Sequence, residues 1–266
     1  MFKEHNKNKV IYMTSSNINT THAFTTRFGG VSEGIYASMN LGLNLGDDIT
    51  MVERNYNILC QNIGIESESI VASRQVHGTN IRVVTHKERG QLFSTERLEA
   101  DGMITNDPTI TLMVYAGDCV PILFHDPIRN VVCAVHAGWR GTVADIAGTA
   151  VRKMQSDFAS HPSDIHVAIG PCISQCCFET QSDVAYGLLE ALGPDALACI
   201  SRRGPKFKID LKEANRLFLT RAGISEIAIS DECTCCSYNK YWSHRKTKGR
   251  RGSQVALIAP HLKKGL

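Results

Sequence analysis

Three short polar clusters hold the side chains best suited to chemistry. Ser-Arg-Gln-Val-His-Gly at 73–78 carries His77. Ala-Gly-Asp-Cys at 116–119 carries Asp118 and Cys119, and His-Ala-Gly-Trp-Arg at 136–140 carries His136. Each follows a run that reads as a strand, and each has a glycine close by. Two imidazoles and one thiolate suit a zinc ion, and three protein ligands with an open fourth position mark a catalytic site, whereas four closed ligands mark a structural one. The separations, 42 residues from His77 to Cys119 and 17 from Cys119 to His136, are not those of a compact zinc finger. On residue type alone two further readings stay open. Cys119 can be a nucleophile with His136 or His77 as its base, and each histidine taken singly can be a satisfied, buried ring.

The elements that must position these clusters follow from periodicity. Strands are expected at 10–14, 22–27, 70–71, 81–84, 111–115, 121–125, 131–135, 166–169, 226–230 and 254–259. The run 131–135 is nearly all β-branched or small, as expected of a strand buried on both faces. A helix is predicted over 50–63, with Asp48 as its cap, Val52, Tyr56, Leu59 and Ile63 at helical spacing, and Gly64 as its end. A second, over 141–158, presents Val143, Ile146, Ala147, Ala150, Val151 and Met154 on one face. Its first amides, at Gly138–Gly141, would form an anion seat. Further helices are expected over 182–193 and, started by Asp210, over 212–222. Residues 29–48 form a long, turn-rich loop, and 87–99 is polar and exposed. No repeat, low-complexity tract or Pro/Ser-rich linker divides the chain, so a single α+β domain over 1–266 is expected.

Composition narrows the function classes. At 43% apolar and 21% charged the chain is ordinary for a globular protein. A net charge of +3 gives no case for nucleic acid or an anionic membrane as an obligate partner. No apolar run approaches the roughly 20 residues needed to span a bilayer. The sequence MFKEHNKNKV lacks the apolar core of a signal peptide, so a cytoplasmic location, reduced thiols and a monomer or weak homo-oligomer are expected. Two cysteine groups, Cys172-x3-Cys176-Cys177 and Cys233-x-Cys235-Cys236, raise the idea of a second metal site. Adjacent cysteines project differently and both groups border apolar strands, so buried thiols are expected instead. The basic stretch 240–251 mixes charge with aromatics: a nucleic-acid patch, a charged surface loop, or an arm that brings Arg245 over the cleft to hold a phosphate.

Taken together, these motifs resemble the YfiH family, long labelled multicopper polyphenol oxidoreductase (laccase) and also described as zinc-dependent purine nucleoside phosphorylases. The resemblance covers nearly the whole chain. It rests on Thr-Arg-Phe-Gly-Gly-Val-Ser (26–32), Ser-Met-Asn-Leu-Gly (38–42), Gln-Val-His-Gly (75–78), Ala-Asp-Gly (100–102), Gly-Asp-Cys-Val-Pro (117–121) and Val-His-Ala-Gly-Trp-Arg-Gly (135–141). Ile-Gly-Pro-Cys-Ile (169–173), Asp210-Leu211 and Ser243-x-Arg245 continue it. The resemblance implies a single-domain α/β/β/α sandwich of mixed sheets, related to bacterial toxin deamidases. It implies zinc on His77, Cys119 and His136. It also implies phosphorolysis of adenosine, inosine and methylthioadenosine to base and ribose 1-phosphate, with deamination of adenosine. For those reactions Asp118 is the candidate proton carrier or, alternatively, an orienting group. Arg74, Arg140 and Arg245 are the cations for phosphate, and Asn40 and Gln75 the amides for hydroxyls or base edges. Phe28, Tyr56 and His244 depart from the family pattern at positions expected to face substrate.

Two alternatives come from other reaction classes. A copper (Cu²⁺) polyphenol oxidase would use His₂Cys with a weak axial ligand, and multicopper enzymes need paired histidines, yet no His-x-His occurs here. A Cys–His amidase acting on a peptidoglycan precursor would work without metal.

Overall fold

The computed structural model describes residues 1–262. In chain order the strands begin with β1 (Phe2–Lys7), β2 (Val10–Ser15), β3 (His22–Thr25), β4 (Ile70–Ala72) and β5 (Ile81–Val83). They continue with β6 (Gly102–Thr105), β7 (Thr111–Ala116), β8 (Val120–Asp126), β9 (Val131–Ala137) and β10 (His166–Ile169). The last are β11 (Glu179–Thr180), β12 (Ile200–Arg203), β13 (Lys206–Ile209), β14 (Glu226–Ile229) and β15 (Gln254–Ile258). The α-helices are α1 (Ile49–Ile63), α2 (Trp139–Val143), α3 (Ile146–Phe158), α4 (Ser182–Leu192), α5 (Leu211–Arg221) and α6 (His244–Thr247).

Two six-stranded mixed sheets stack face to face. The first runs β1-β2-β3-β15-β7-β4, the second β14-β10-β8-β9-β6-β5. Each is mostly antiparallel with parallel pairing at its margins: β4 with β7, β10 with β14, and β5 with β6. A small antiparallel sheet, β11-β13-β12, stands apart. Helices cover both outer faces, which gives the α/β/β/α layering. The layers follow from side-chain alternation. On β8 and β9, Ile122, Phe124, Cys133 and Val135 face α3, α4 and α5, while Leu123, Val132 and Ala134 face the other sheet. Both strands are buried along their whole length, as the apolar run predicts. Full burial of each large apolar side chain there contributes roughly 1.5–3 kcal/mol. On the far side, Val52, Tyr56 and Leu59 of α1 pack against Met113 and Leu257 of the first sheet.

Helix α1 is started and stopped by the residues expected. Asp48 accepts a hydrogen bond from the Thr50 amide, and Gly64 closes the helix at φ 79°. The helix predicted over 141–158 is instead two. Asp145 takes φ 57° and its carboxylate accepts from the Gly148 amide, so it caps a new helix, α3, and breaks the run. The long helix therefore starts seven residues beyond Trp139, and the anion seat expected at Gly138–Gly141 is only the first turn of the five-residue α2. The stretch β1 was not expected to be a strand because its residues are largely polar. It forms by pairing with β2 across a two-residue turn in which Asn8 and Lys9 both have positive φ, 52° and 70°. Among the described residues no helix is long and apolar enough to cross a membrane.

Candidate metal centre and its cavity

Strand ends bring the three clusters together. His136 sits near the end of β9, opposite Pro121, and Cys119 stands just before β8, whose Val120 pairs with Ala137. Their neighbourhood is thus fixed by one hairpin register. His77 comes from the loop between β4 and β5 and is held at φ 62°, a left-handed conformation that a residue other than glycine adopts only when its surroundings demand it. Asp101 makes that demand. One of its carboxylate oxygens accepts from the amide of His77 at 2.9 Å, the other from those of Gly78 at 2.7 Å and Val76 at 3.2 Å. The oxygen bonded to the His77 amide also accepts from Nδ1 of His136 at 2.8 Å. One fully buried carboxylate therefore orients two of the three arms.

The donor atoms of His77, Cys119 and His136 all lie within 4.8 Å of one another. Cys119 Sγ and His77 Nε2 are 4.0 Å apart, and the two imidazole rings meet edge to face with centroids 4.9 Å apart. With Nδ1 of His136 bound to Asp101, its Nε2 is left to face the cluster. The carboxylate–histidine pair is the arrangement that orients metal-binding imidazoles. Two nitrogens and a sulfur at this spacing fit a zinc-class ion. Electrostatics agree. Burial alone would push the Cys119 thiol up, but the charge of His136 and hydrogen bonds from both histidines outweigh it and bring it down to about 6. Burial opposes charge on His136 too, yet Cys119 and Asp101 lift it to about 9. For Asp101, burial is overcome by His136 and the loop amides, which hold its carboxyl below the usual range.

The cluster opens into a cavity of about 390 Å³, within the size range of small-molecule sites. Trp139, Phe178 and Ile173 give it apolar walls, and Arg245 and Arg251 give it a cationic side, with His244 also in the lining. Arg251 was grouped by sequence with a solvated basic stretch, and its place is set by sheet register. Gln254 pairs with Ala116, which lays the residues before β15 against the Gly117 turn. A Cβ on Gly117 would meet the Arg251 guanidinium at 2.8 Å, so this glycine, at φ 146°, makes room for it. Gly138 does the same for His77: a Cβ there would sit 2.7 Å from the imidazole. Burial lowers the Arg251 pKa, while Asp118 and Cys119 favour its charge. Its Nε is buried with no hydrogen-bond partner among the described residues, and one terminal nitrogen donates to the Gly252 carbonyl at 2.6 Å.

The other residues singled out by sequence fall in different places. Asp118 lines the cavity, but both its oxygens are engaged. One accepts from Thr234 Oγ1 at 2.6 Å, the other from Ser243 Oγ at 3.1 Å and the Arg245 amide at 2.6 Å. Gln75 also lines it, its amide spent on the Tyr115 backbone in both directions. Asn40 is buried outside the lining, bridging Asp47, Gly42 and Ser253. Arg74 lies outside as well, exposed and paired with Glu99. Arg140 stacks on Trp139, 4.3 Å from the ring centroid, on the solvent side. Of the three departures from family pattern, His244 lines the cavity, Phe28 is partly exposed, and Tyr56 is a core residue whose hydroxyl donates to the Leu41 carbonyl. Of the three readings left open for 240–251, a wholly solvated loop does not hold: Tyr241 and Trp242 are fully buried, Arg27 covers the Trp242 ring at 3.9 Å, and Arg245 lines the cavity. Sequence reasoning gave no role to Asp101 or Arg251. Asp101 carried a signal, as the aspartate of a quoted motif at the mouth of a buried strand. Arg251 carried none.

Residues 21–261 match the family described as multi-copper polyphenol oxidoreductase laccase. The chain is 40% identical over 240 residues to "Purine nucleoside phosphorylase YlmD" of Geobacillus stearothermophilus, covering 88% of each. It is 33% identical over 236 residues to "Purine nucleoside phosphorylase YfiH" of Escherichia coli, covering 88% of this chain and 92% of the relative. The crystal structure of YlmD from Geobacillus stearothermophilus superposes with a TM-score of 0.92 at 36% identity, over 98% of this chain and 99% of that one. The matched span takes in His77, Asp101, Cys119, His136 and the closing strand, and the chain belongs to this laccase-labelled YfiH/YlmD family.

Proposed function

We propose that this chain, acting as one catalytic domain, cleaves purine nucleosides with phosphate, giving the free base and ribose 1-phosphate, and also deaminates adenosine. Adenosine, inosine and methylthioadenosine are its proposed nucleosides, and zinc on His77, Cys119 and His136 its cofactor. The observation that carries this reading is the junction, in one cavity, of an N₂S donor set, two guanidinium groups and aromatic walls. The names of the YlmD and YfiH relatives support the same reaction class. Copper suits the donor set less well, since a blue-copper site adds a weak axial ligand and no methionine lines the cavity among the described residues.

When bound, zinc supplies a Lewis acid that polarises an oxygen and lowers the pKa of water. The rest falls to the chain. In phosphorolysis a phosphate oxygen bonds to ribose C1′ as the C1′–N9 bond breaks, and the purine leaves with the bonding electrons. Arg251 and Arg245 hold the phosphate, because a guanidinium fork matches its oxygens and offsets its charge. Burial of Arg251 strengthens that contact by lowering the screening around its charge. Trp139 and Phe178 give the base an apolar seat and exclude water. Asp118 fixes the Cys119 turn to the Arg245 loop, and Gln75 fixes the His77 loop to β7. Asn40 acts by holding its own loop, while Arg74, paired with Glu99, and Arg140, stacked on Trp139, lie outside the cavity and carry no part of the phosphate contact.

The test is a screen of purine nucleosides with and without phosphate, on zinc-loaded protein, read by product mass. Free base with ribose 1-phosphate, formed only when phosphate is present, is the expected result. Inosine should also appear from adenosine. Activity that survives chelation but is lost on thiol alkylation would overturn this reading in favour of a Cys–His amidase.

A further inference from the structure

The geometry points to a second metal site, a closed tetrathiolate of Cys176, Cys177, Cys233 and Cys236 that takes a zinc-class divalent cation. The four sulfurs all lie within 4.8 Å of one another. Cys176 and Cys177 are 3.7 Å apart, Cys176 and Cys236 3.6 Å, and Cys177 and Cys236 3.4 Å. A tetrahedral zinc with bonds of about 2.3 Å needs sulfurs roughly 3.8 Å apart, close to these separations. A disulfide needs about 2.05 Å. The expectation of buried thiols is therefore corrected: Cys176 and Cys236 are exposed, Cys177 is half-buried, and only Cys233 of the four is buried.

The two cysteine loops are neighbours because their strands are. Strands β10 and β14 pair in parallel, and the pairing continues past their ends through a Cys172–Cys233 bridge, in which the Thr234 amide donates to the Cys172 carbonyl at 3.0 Å. Residues about 60 apart in sequence thus meet at one end of the sheet. Cys233 and Cys236 have the C-x2-C spacing of a zinc knuckle, a signal that pairing Cys235 with Cys236 obscured. Backbone amides point at the sulfur as in such knuckles: Ser174 donates to Cys233 Sγ at 3.3 Å, and those of Cys235 and Cys236 also favour its thiolate. Burial would raise the Cys233 thiol, but these donors bring it down to about 7. Cys176 is pushed up to about 11, first by burial and then by Cys236 and Cys233, and Cys177 is pushed up by burial and the same crowding. Two cations stand ready to offset the negative charge of four thiolates: Lys208 donates to the Cys176 carbonyl, and Arg245 to that of Cys177 at 3.0 Å.

The site has a structural consequence. The same two loops carry Phe178 and Arg245, which wall the catalytic cavity. A cation on the four sulfurs would clamp those walls together from the side remote from His77. It would be a closed site, with no position left for substrate.

The deciding experiment is metal analysis of the full chain, purified under reducing conditions, by elemental and native mass spectrometry. Two zinc ions per chain are expected. Cys176→Ser combined with Cys236→Ser should leave one, and so should Cys119→Ala, which removes the other. Cobalt-loaded Cys119→Ala should display the strong sulfur-to-cobalt charge-transfer and visible bands of a tetrathiolate. A single zinc that Cys119→Ala abolishes, with the four thiols freely alkylated in the native chain or joined as disulfides, would overturn the proposal. The wild-type stoichiometry and the Cys119→Ala cobalt spectrum decide the matter even if the double serine variant does not fold. Neither readout depends on the proposed nucleoside reaction.

Discussion

At His77, Cys119 and His136, a single buried carboxylate orients two arms far apart in sequence, one on a loop and one on β9, and the third arm shares a hairpin register with the latter. At Cys176, Cys177, Cys233 and Cys236, backbone amides and strand neighbours do the positioning, and among the described residues no carboxylate bonds to a sulfur. The first cluster mixes nitrogen with sulfur and opens into a cavity; the second is all sulfur and lies at the protein surface. The contrast is one of access as well as of donor type: the first cluster faces a cavity walled by arginines and the second does not. What separates them is whether the surrounding fold leaves a face open and charges it for a substrate.

Breaking the open cluster should have the largest effect. Cys119→Ala should abolish nucleoside phosphorolysis, by at least about 1,000-fold, since a catalytic metal contributes several kcal/mol to the barrier. Full phosphorolysis by a metal-free Cys119→Ala protein would sink the mechanism. Asp101→Asn keeps the shape but removes the charge that His136 and three amides share. Zinc affinity at the open site should fall about 10–100-fold in a chelator competition, while the four-cysteine site is untouched. Arg251→Ala should raise KM for phosphate by about tenfold, in line with the loss of one charge-assisted contact, with Arg251→Lys intermediate. The Arg74→Ala variant is the matched control and should leave KM unchanged, because Arg74 is exposed and engaged with Glu99.

Breaking the closed cluster should register in stability more than in turnover. Cys176→Ser with Cys236→Ser should lower Tm by about 5 °C, which for a chain of this size corresponds to roughly 3 kcal/mol. A drop in turnover as large as that of Cys119→Ala would mean the two clusters are one catalytic unit.

His125 sharpens the contrast from the smallest side. It is a buried histidine whose ring nitrogens both lack hydrogen-bond partners among the described residues, and the His261 ring lies 5.5 Å away. Burial first, then the charges of His261 and His166, lower it to about 4, with Asp126 opposing. Its folded pKa lies below the unfolded value of 6.5, so its stability contribution is intact above that pH and is lost as pH falls toward 4. The loss should reach about 2 kcal/mol at pH 5. Denaturant melts of wild type and His125→Phe across that window test it; parallel curves would refute the assignment.

How much of this was legible beforehand varies by element. Helix α1 was, from its cap and closing glycine, because caps act within a few residues. Strands β7 and β9 were, because burial on both faces leaves an apolar run. The break at Asp145 was not: the apolar stripe continues through it, and only the left-handed backbone that lets its carboxylate cap α3 interrupts the helix. Strand β1 was hidden because an edge strand in a hairpin can be polar on most of its length. Arg245 lines the cavity while Arg74 and Arg140 do not, and nothing in their flanking residues separates them.

The sequence by itself determined the donor types, the glycines that let backbone and side chains approach, the helical and strand periods, and a family likeness running through all three ligands. Those are local properties, set by side-chain chemistry and by spacing over a few residues. The tertiary structure alone decided which donors share a site. Sheet order puts β15 beside β7 and so delivers Arg251 to Gly117; parallel pairing of β10 with β14 gathers four cysteines; and one aspartate joins the His77 loop to β9. Such meetings depend on contacts across tens of residues, where the balance of packing and chain entropy over the whole fold, not any neighbouring residue, fixes the partner.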